Sequence, residues 1–168
     1  PGHAAPEYRE YDGIPDLAAS YNGGGPANTR MAVMICNGNG TFQTPVLYPI
    51  GNQPSDIRVA DFNHDGHPDL VTLVNTGVSI LLGNGNGTFQ GSTSYALPVS
   101  TNFAGLAVAD LNMDGALDLV LPVYANSVVG VSLGSVPSSA TFGTVTNYTT
   151  GWFGAWNAWP GDFNGDGR

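Results

Sequence analysis

One nine-residue phrase recurs along this chain at nearly constant spacing. It is complete at 61–69 and at 110–118, and residues 162–168 repeat its first seven positions. Successive copies begin 49 and 52 residues apart. Self-similarity at a period of this length is typical of chains that stack one small structural unit after another. The phrase therefore predicts a repeat architecture.

The phrase places side-chain oxygens at positions 1, 3, 5 and 9 and glycine at position 6. In the first complete copy these residues are Asp61, Asn63, Asp65, Asp69 and Gly66. Oxygen ligands at such spacing, with glycine for a sharp turn, suit calcium. Three carboxylates in one short loop also repel one another unless a cation lies among them. We expect a calcium loop; the alternative is an Asx-turn loop whose Asp and Asn only accept backbone hydrogen bonds.

An EF-hand is the main helical alternative for such a phrase. It requires Glu at position 12 and flanking helices. Here an apolar segment of strand type, Leu70–Val74 or Leu119–Val123, follows position 9 directly. The EF-hand interpretation therefore fails.

The formal net charge of -9 is concentrated in the repeated phrase. Ten of the thirteen acidic residues belong to it or to a degenerate relative near the N-terminus. The chain has no Lys and only four Arg, so it lacks the positive charge that nucleic-acid binding requires. No apolar run approaches the length of a membrane span, and no signal peptide is visible. We therefore expect neither nucleic-acid binding nor membrane insertion.

Short apolar segments alternate with Gly- and Asn-rich turns around each copy, and no helical period is present. Four such segments fill each period, which indicates four antiparallel strands and an all-β fold of β-propeller type. The predicted strands are Ile57–Ala60, Leu70–Val74, Val78–Leu82 and one ending near Leu97, then Leu106–Ala109, Leu119–Val123 and Val128–Leu133.

The same register extends to the N-terminus in a degenerate form. Asp12–Leu17 matches Asp65–Leu70, but Tyr8 stands at position 1 and Glu10 at position 3. We therefore predict a degenerate first blade at 1–48 with an insertion at 22–29. Further blades follow at 49–97 and 98–149, and a fourth repeat begins at 150–168 and stops inside its calcium loop.

The pattern Asp-Phe-Asn-x-Asp-Gly-x-x-Asp-Leu-Val, followed by a strand and Gly-Asn-Gly-x-Gly-Thr-Phe, resembles the FG-GAP/VCBS repeat. That repeat is the calcium-binding blade of integrin-α-type propellers and of many secreted proteins. The resemblance implies that the loop joins the first two strands of a blade. It implies side-chain ligands at Asp61, Asn63, Asp65 and Asp69 with the His67 carbonyl; at Asp110, Asn112, Asp114 and Asp118 with the Ala116 carbonyl; and at Asp162, Asn164 and Asp166 with the Arg168 carbonyl.

Two calcium sites are expected from the complete loops and a third from the unfinished one. A degenerate fourth would use Glu10, Asp12 and Asp16.

No catalytic grouping is readable in the chain. His64 and His67 occupy loop positions whose side chains are not ligands, so we expect both to face solvent. Cys36 is the only cysteine, which excludes an intrachain disulfide, and we expect a buried or half-buried thiol. No Ser-His-Asp arrangement accompanies these residues. We expect a protein that is not an enzyme.

All three tryptophans precede the last loop, at Trp152, Trp156 and Trp159. When the repeats are aligned, the tryptophans fall on the opposite face of the strand from Ile57 and Val59. The alternation of apolar residues predicts that Ile57 and Val59 are buried. Exposed aromatic rings stack on sugars or dock a partner. The alternative is that they fill the central channel or pack against a neighbouring blade.

Three blades and a fragment cannot close a propeller, since rings contain about four to eight blades. The chain is therefore expected either to be part of a longer protein or to be completed by other copies in head-to-tail association. The expected function is an extracellular or cell-surface calcium-binding module for adhesion, ligand binding or surface structure, with a protein or glycan partner. Alternatives are a lectin with inter-blade aromatic pockets and an accessory domain of a secreted enzyme.

Overall fold

A computed structural model describes residues 13–23, 29–97, 104–124, 127–135, 140–151 and 154–167. The described residues form strands and turns without a helix, which confirms the predicted all-β class. No helix among them is long and apolar enough to cross a membrane. The strands are β1 Leu17–Tyr21, β2 Arg30–Met34, β3 Val46–Pro49, β4 Ile57–Ala60, β5 Asp69–Val74, β6 Gly77–Leu81, β7 Thr93–Ala96, β8 Ala107–Ala109, β9 Asp118–Val123, β10 Val128–Ser135 and β11 Thr141–Thr149.

The strands form three antiparallel sheets, each a meander in chain order. The first contains β1 to β3, the second β4 to β7 and the third β8 to β11, and none of them closes into a barrel. We refer to them as the first, second and third blades, because they are propeller-like blades in an incomplete ring. The first strand of the first blade and its loop residues Glu10 and Asp12 would lie outside the described residues, as does most of the predicted insertion at 22–29.

Each complete nine-residue phrase joins the first two strands of its blade. Ala60 pairs with Asp69 across the base of one loop, and Ala109 pairs with Asp118 across the base of the next. Position 9 is therefore the first residue of a strand. The sequence had placed it at the end of the loop.

Neighbouring blades pack face to face and bury several of their middle strands. Every residue of β5, β6 and β9 is buried, and most of these residues are apolar. One core lies between the second and third blades and the other between the first and second. Burying an apolar side chain of this size contributes roughly 1.5–3 kcal/mol. Inter-blade packing is thus the main stabilising interaction.

A polar link joins the innermost strands of the second and third blades. The Asp56 carboxylate, just before β4, accepts the Leu106 N–H at 2.9 Å and the Ile57 N–H at 2.9 Å. The Arg58 guanidinium also pairs with it. Asp56 is an acidic residue outside the repeated phrase, and its role is to hold two blades together.

The expected burial of Val59 is wrong, since its side chain is 61% exposed. Val59 lies on β4, which is an edge strand of its sheet. The described residues leave that edge open, whereas β5 has a strand on either side. The alternation alone could not distinguish an edge strand from a central one.

Candidate metal-binding loops

Glycine at position 6 gives each loop its reversal. Gly66, Gly115 and Gly167 have φ angles of 85°, 90° and 83°, and Gly13 in the degenerate copy has 77°. Only glycine adopts this left-handed region without steric cost. The sharp turn predicted from the sequence is confirmed.

Position 4 also adopts the left-handed region, which the sequence reasoning missed. His64 has φ of 57° and Met113 of 60°, whereas the last copy has Gly165 at 73°. The glycine at this position of the last copy was the signal that could have revealed it. Two of the three loops therefore hold a strained residue beside the candidate ligands.

The side chains at positions 1, 3 and 5 converge inside the second blade's loop. The Asp65 N–H donates to Asp61 Oδ1 at 3.2 Å and to Asn63 Oδ1 at 3.1 Å. The Gly66 N–H donates to Asp61 Oδ2 at 2.9 Å, and the His67 N–H donates to Asp65 Oδ1 at 2.8 Å. The Asn63 amide closes the set by donating to Asp65 Oδ2 at 2.8 Å.

The other two loops repeat these bonds almost without change. In the third blade the Asp114 N–H lies 3.2 Å from Asp110 Oδ1 and 3.1 Å from Asn112 Oδ1. In the last copy the distances from the Asp166 N–H to the equivalent oxygens of Asp162 and Asn164 are both 3.2 Å. One local structure is thus built three times from the same residue types. The predicted carbonyl ligand of Arg168 lies outside the described residues.

Position 9 ties the loop to a distant turn of the same blade. The Asp69 side chain is fully buried, with Oδ2 accepting the Phe62 N–H at 2.9 Å and Oδ1 accepting the Gly83 N–H at 2.7 Å. Gly83 begins the turn after β6. This carboxylate therefore has a structural role that the spacing argument did not foresee, besides its predicted role as a ligand.

The same link recurs in the other blades. Asp118 accepts the N–H groups of Leu111 and Gly134, each at 2.8 Å. In the degenerate first blade Asp16 accepts the Cys36 N–H at 2.8 Å. Cys36 is free and half-buried, as predicted. The link from position 9 to the end of the third strand or the turn after it persists even where the repeated phrase is degenerate.

Burial and hydrogen bonding shift the loop carboxyls in opposite directions. Burial raises the pKa of Asp69 above its ordinary value despite the N–H groups of Gly83 and Phe62. For Asp65 burial also acts upward, but the Asn63 amide, the His67 N–H and the His67 side chain hold its pKa below the ordinary value. A neighbouring cation would therefore stabilise the charged form of Asp69, which burial disfavours.

The expectation that His67 faces solvent is wrong, whereas His64 is exposed as predicted. The His67 Nδ1 atom is buried and has no hydrogen-bond partner among the described residues. Its ring covers Gly85, where a Cβ would lie 2.3 Å from Cε1. The reversal at Gly66 directs the next side chain toward the turn after β6, and glycine at that turn leaves room for it.

The donor set fits a hard cation. In each loop the candidate ligands are carboxylate, amide and main-chain carbonyl oxygens, the set that calcium prefers. Within the described part of the chain, no group of three or more His, Cys, Asp or Glu side chains is arranged to hold a metal by itself. A bound ion would therefore depend on the Asn and main-chain oxygens as well as on the Asp carboxylates.

Two of the three tryptophans lie on the surface, and Trp152 lies outside the described residues. Trp156 is 64% exposed and Trp159 79%. The Trp156 ring rests against Tyr124, which follows β9, with centroids 4.8 Å apart and planes inclined at 54°. An exposed aromatic pair therefore stands beside the last repeat.

Comparison with known families gives a match over most of the chain. The family model described as an FG-GAP-like repeat matches residues 11–72 and again 61–121. The two segments share 61–72, and together they cover well over half of the chain. The third loop, at 162–167, lies beyond them. No curated protein matches the chain.

Proposed function

Since the chain belongs to the FG-GAP-like repeat family, whose repeats form β-propeller-type modules, we propose that it is a non-enzymatic calcium-stabilised module. It acts outside the cell or at the cell surface, in adhesion, ligand binding or surface structure. Calcium stabilises the loops that join the first two strands of each blade.

The supporting observation is the triple recurrence of one oxygen-lined loop. In the second blade Asp61, Asn63, Asp65 and Asp69 would hold the ion together with the His67 carbonyl. The equivalent set in the third blade is Asp110, Asn112, Asp114, Asp118 and the Ala116 carbonyl, and in the last copy Asp162, Asn164, Asp166 and the Arg168 carbonyl. Bound calcium supplies positive charge between carboxylates that otherwise repel one another.

Calorimetric titration with calcium tests this proposal. We expect two or three ions per chain, one for each loop. Extracellular modules bind calcium with Kd of about 0.1–1 mM, so the titration must cover that range. Magnesium should bind more weakly, because it requires a near-ideal octahedron and retains its waters.

A pair of variants localises the binding. Asp65→Asn removes one exposed carboxylate and should abolish one site or weaken it at least about tenfold, because affinity follows ligand charge. His64→Asn is the matched control: it changes the neighbouring residue, keeps every candidate ligand and suits the left-handed backbone. Absence of binding, or equal loss in both variants, would contradict the proposal. If the isolated chain has hydrolytic activity, the proposal that it is not an enzyme is wrong, and the alternative of an accessory domain of a secreted enzyme is favoured.

A second candidate function is glycan binding at the exposed pair of Trp156 and Tyr124. Aromatic faces that remain open to solvent are suited to stacking against sugar rings. Binding on a glycan array should be lost in Trp156→Ala and kept in Phe163→Ala, whose ring is 89% exposed but unpaired with Tyr124. If the wild-type chain binds no glycan, this candidate is wrong.

A further inference from the structure

A turn rich in glycine and asparagine follows β2 in the first blade and β6 in the second. It reads Cys36-Asn-Gly-Asn-Gly-Thr-Phe42 in the first blade and Gly83-Asn-Gly-Asn-Gly-Thr-Phe89 in the second. In each blade the two end residues pair with one another as an isolated antiparallel bridge. We refer to this segment as the glycine turn. The candidate calcium ligands do not explain why it recurs.

The glycine turn of the second blade is held rigid by its own hydrogen bonds. The Asn84 N–H donates to the Thr88 carbonyl at 2.9 Å, and the Asn84 side-chain amide donates to Thr88 Oγ1 at 2.9 Å. The Thr88 N–H donates to Asn86 Oδ1 at 3.0 Å. The first blade repeats these three bonds at 2.8, 2.8 and 3.0 Å. The turn is therefore a fixed surface for the side chain that packs on it.

The side chain at position 7 of the repeated phrase packs on this surface. In the second blade the His67 ring covers Gly85, where a Cβ would lie 2.3 Å from Cε1, 2.5 Å from Nδ1 and 2.7 Å from Nε2. In the first blade Ile14 covers the equivalent Gly38, with its Cδ1 atom 2.9 Å from the Cβ position. Two chemically different side chains thus occupy the same place in two blades.

The His67 ring is held on the glycine turn by packing and not by a hydrogen bond. Its Nδ1 atom is buried and has no hydrogen-bond partner among the described residues. A buried polar atom without a partner costs free energy, so shape keeps the ring in place, as it does for the apolar Ile14. In the third blade, where β10 extends to Ser135, the smaller Ala116 is buried beside Gly134.

The main chain of His67 takes part in the candidate metal-binding loop. Its N–H donates to Asp65 Oδ1 at 2.8 Å, and its carbonyl is the predicted ligand at position 7. The left-handed Gly66 precedes it with φ of 85°. Pro68 follows it and disfavours a helical backbone at His67. The residue whose ring packs on the glycine turn therefore also orients one candidate ligand and supplies another.

We propose that His67 is a positioning residue for the calcium site of the second blade. Its ring, packed on Gly85, fixes the main chain so that the carbonyl and the bond to Asp65 are in place before an ion binds. Ligands fixed in advance lose less conformational freedom on binding, which increases affinity. Groups that orient metal ligands affect affinity in the same way. The inference rests on the proposed function, and it adds the glycine turn to the parts of the blade that determine calcium affinity.

A calcium titration followed by NMR measures the second and third blades separately in one sample. The Gly66 N–H donates to Asp61 Oδ2 and the Gly115 N–H to Asp110 Oδ2, each at 2.9 Å, so each amide signal reports on its own loop. His67→Ala should raise the Kd measured at Gly66 about tenfold and leave the Kd measured at Gly115 unchanged. His67→Ile, which supplies the side chain that the first blade has at this position, should restore the wild-type Kd.

Gly85→Ala tests the same contact from the other side. The added Cβ displaces the ring and should also raise the Kd of the second blade about tenfold. In the double variant with His67→Ala the two effects should not multiply, because both substitutions remove one contact. Gly40→Ala is the matched control: its φ of 83° imposes the same backbone cost, but the new Cβ meets no heavy atom within 4 Å. It should leave the Kd of the second blade unchanged.

Amide hydrogen exchange in EDTA tests the positioning without calcium. The Gly66 N–H should exchange about tenfold faster in His67→Ala than in the wild type, because local opening of the loop becomes easier. Equal exchange rates would overturn the inference, as would equal weakening at Gly115, failure of His67→Ile to restore binding, or multiplied effects in the double variant. Absence of calcium binding at both signals in the wild type would overturn the proposed function. Calcium binding with equal Kd values in wild type and His67→Ala would overturn this inference alone.

Discussion

At the residue scale the loops impose backbone conformations that most side chains resist. His64 and Met113 occupy the left-handed region at position 4, where the last copy has Gly165. Holding an ordinary residue there costs about 1–2 kcal/mol. The strain falls in the same loops that hold the candidate calcium ligands, as strain at a functional site would.

Met113→Gly should therefore stabilise the protein. The Met113 side chain is 63% exposed, so its removal loses little packing. Relief of strain, less the added entropy of the unfolded chain, should raise the free energy of unfolding by about 0.5–1 kcal/mol in urea denaturation. Met113→Ala keeps the Cβ and serves as control, with no gain expected. A glycine variant less stable than the alanine variant would contradict the strain argument.

Asp69 should matter for folding even without a metal. Asp69→Ala leaves the buried N–H groups of Phe62 and Gly83 unpaired, and each unsatisfied group costs about 1–3 kcal/mol. Asp65 lies in the exposed part of the loop, so Asp65→Ala should cost well under half as much. Urea denaturation in the presence of EDTA measures both variants. Equal losses would contradict the structural role inferred for Asp69.

Part of this site could be predicted from the sequence. The turn at Gly66 followed from the phrase itself, because its spacing demands glycine at position 6. The two hydrogen bonds that the Asp69 carboxylate accepts from Phe62 and Gly83 could not be predicted, since they join groups that approach only after β5 and β6 pair. The orientation of His67 depends in the same way on a turn 18 residues further along the chain, at Gly85.

At the element scale the strand pattern was predicted well where strands are central. The predicted segment Leu70–Val74 became β5 with one residue added, because Asp69 pairs with Ala60. The exposure of Val59 was not predicted, since edge and central strands share one alternation. The edge-on ring contacts of Tyr48 with Phe89 and of Tyr95 with Phe142 were missed, because the sequence spacing within one blade does not show a contact with the next blade.

Gly83, just after β6, and Gly134, near the end of β10, are positions that leave no room for a side chain. A Cβ on Gly83 would lie 2.3 Å from the Pro68 carbonyl oxygen, and one on Gly134 would lie 2.3 Å from that of Leu117. Main-chain atoms cannot move aside as the end of a side chain can. The turn at Gly83 and the end of β10 at Gly134 must therefore approach the candidate metal-binding loops closely.

Gly83→Ala should lower the free energy of unfolding by about 2–3 kcal/mol, the upper range for overpacking. Gly91→Ala is the matched control in the same blade, because a Cβ added there would meet no heavy atom within 4 Å. That variant should stay within about 0.5 kcal/mol of the wild type. Comparable destabilisation by both substitutions would contradict the close approach inferred at Gly83.

At the scale of the whole molecule, stability comes from each blade covering the next. The central strands β5 and β6 of the second blade are buried at every residue, whereas β2 of the first blade and β10 of the third are only partly buried. In such an array each unit is stabilised by its neighbours, and local loosening spreads to the adjacent interface. A cation bound at one loop would stabilise the rest of the same blade as well, because Asp69 links that loop to Gly83 after β6.

Thermal unfolding with calcium and with EDTA tests the central claim most directly. Calcium at about ten to a hundred times its Kd should raise the Tm by about 5 °C or more, since each occupied site adds roughly 1.4–2.7 kcal/mol. Magnesium at the same concentration should raise it less, because it fits an irregular oxygen shell poorly. Coincident melting curves in calcium and EDTA would contradict the claim that calcium stabilises these blades.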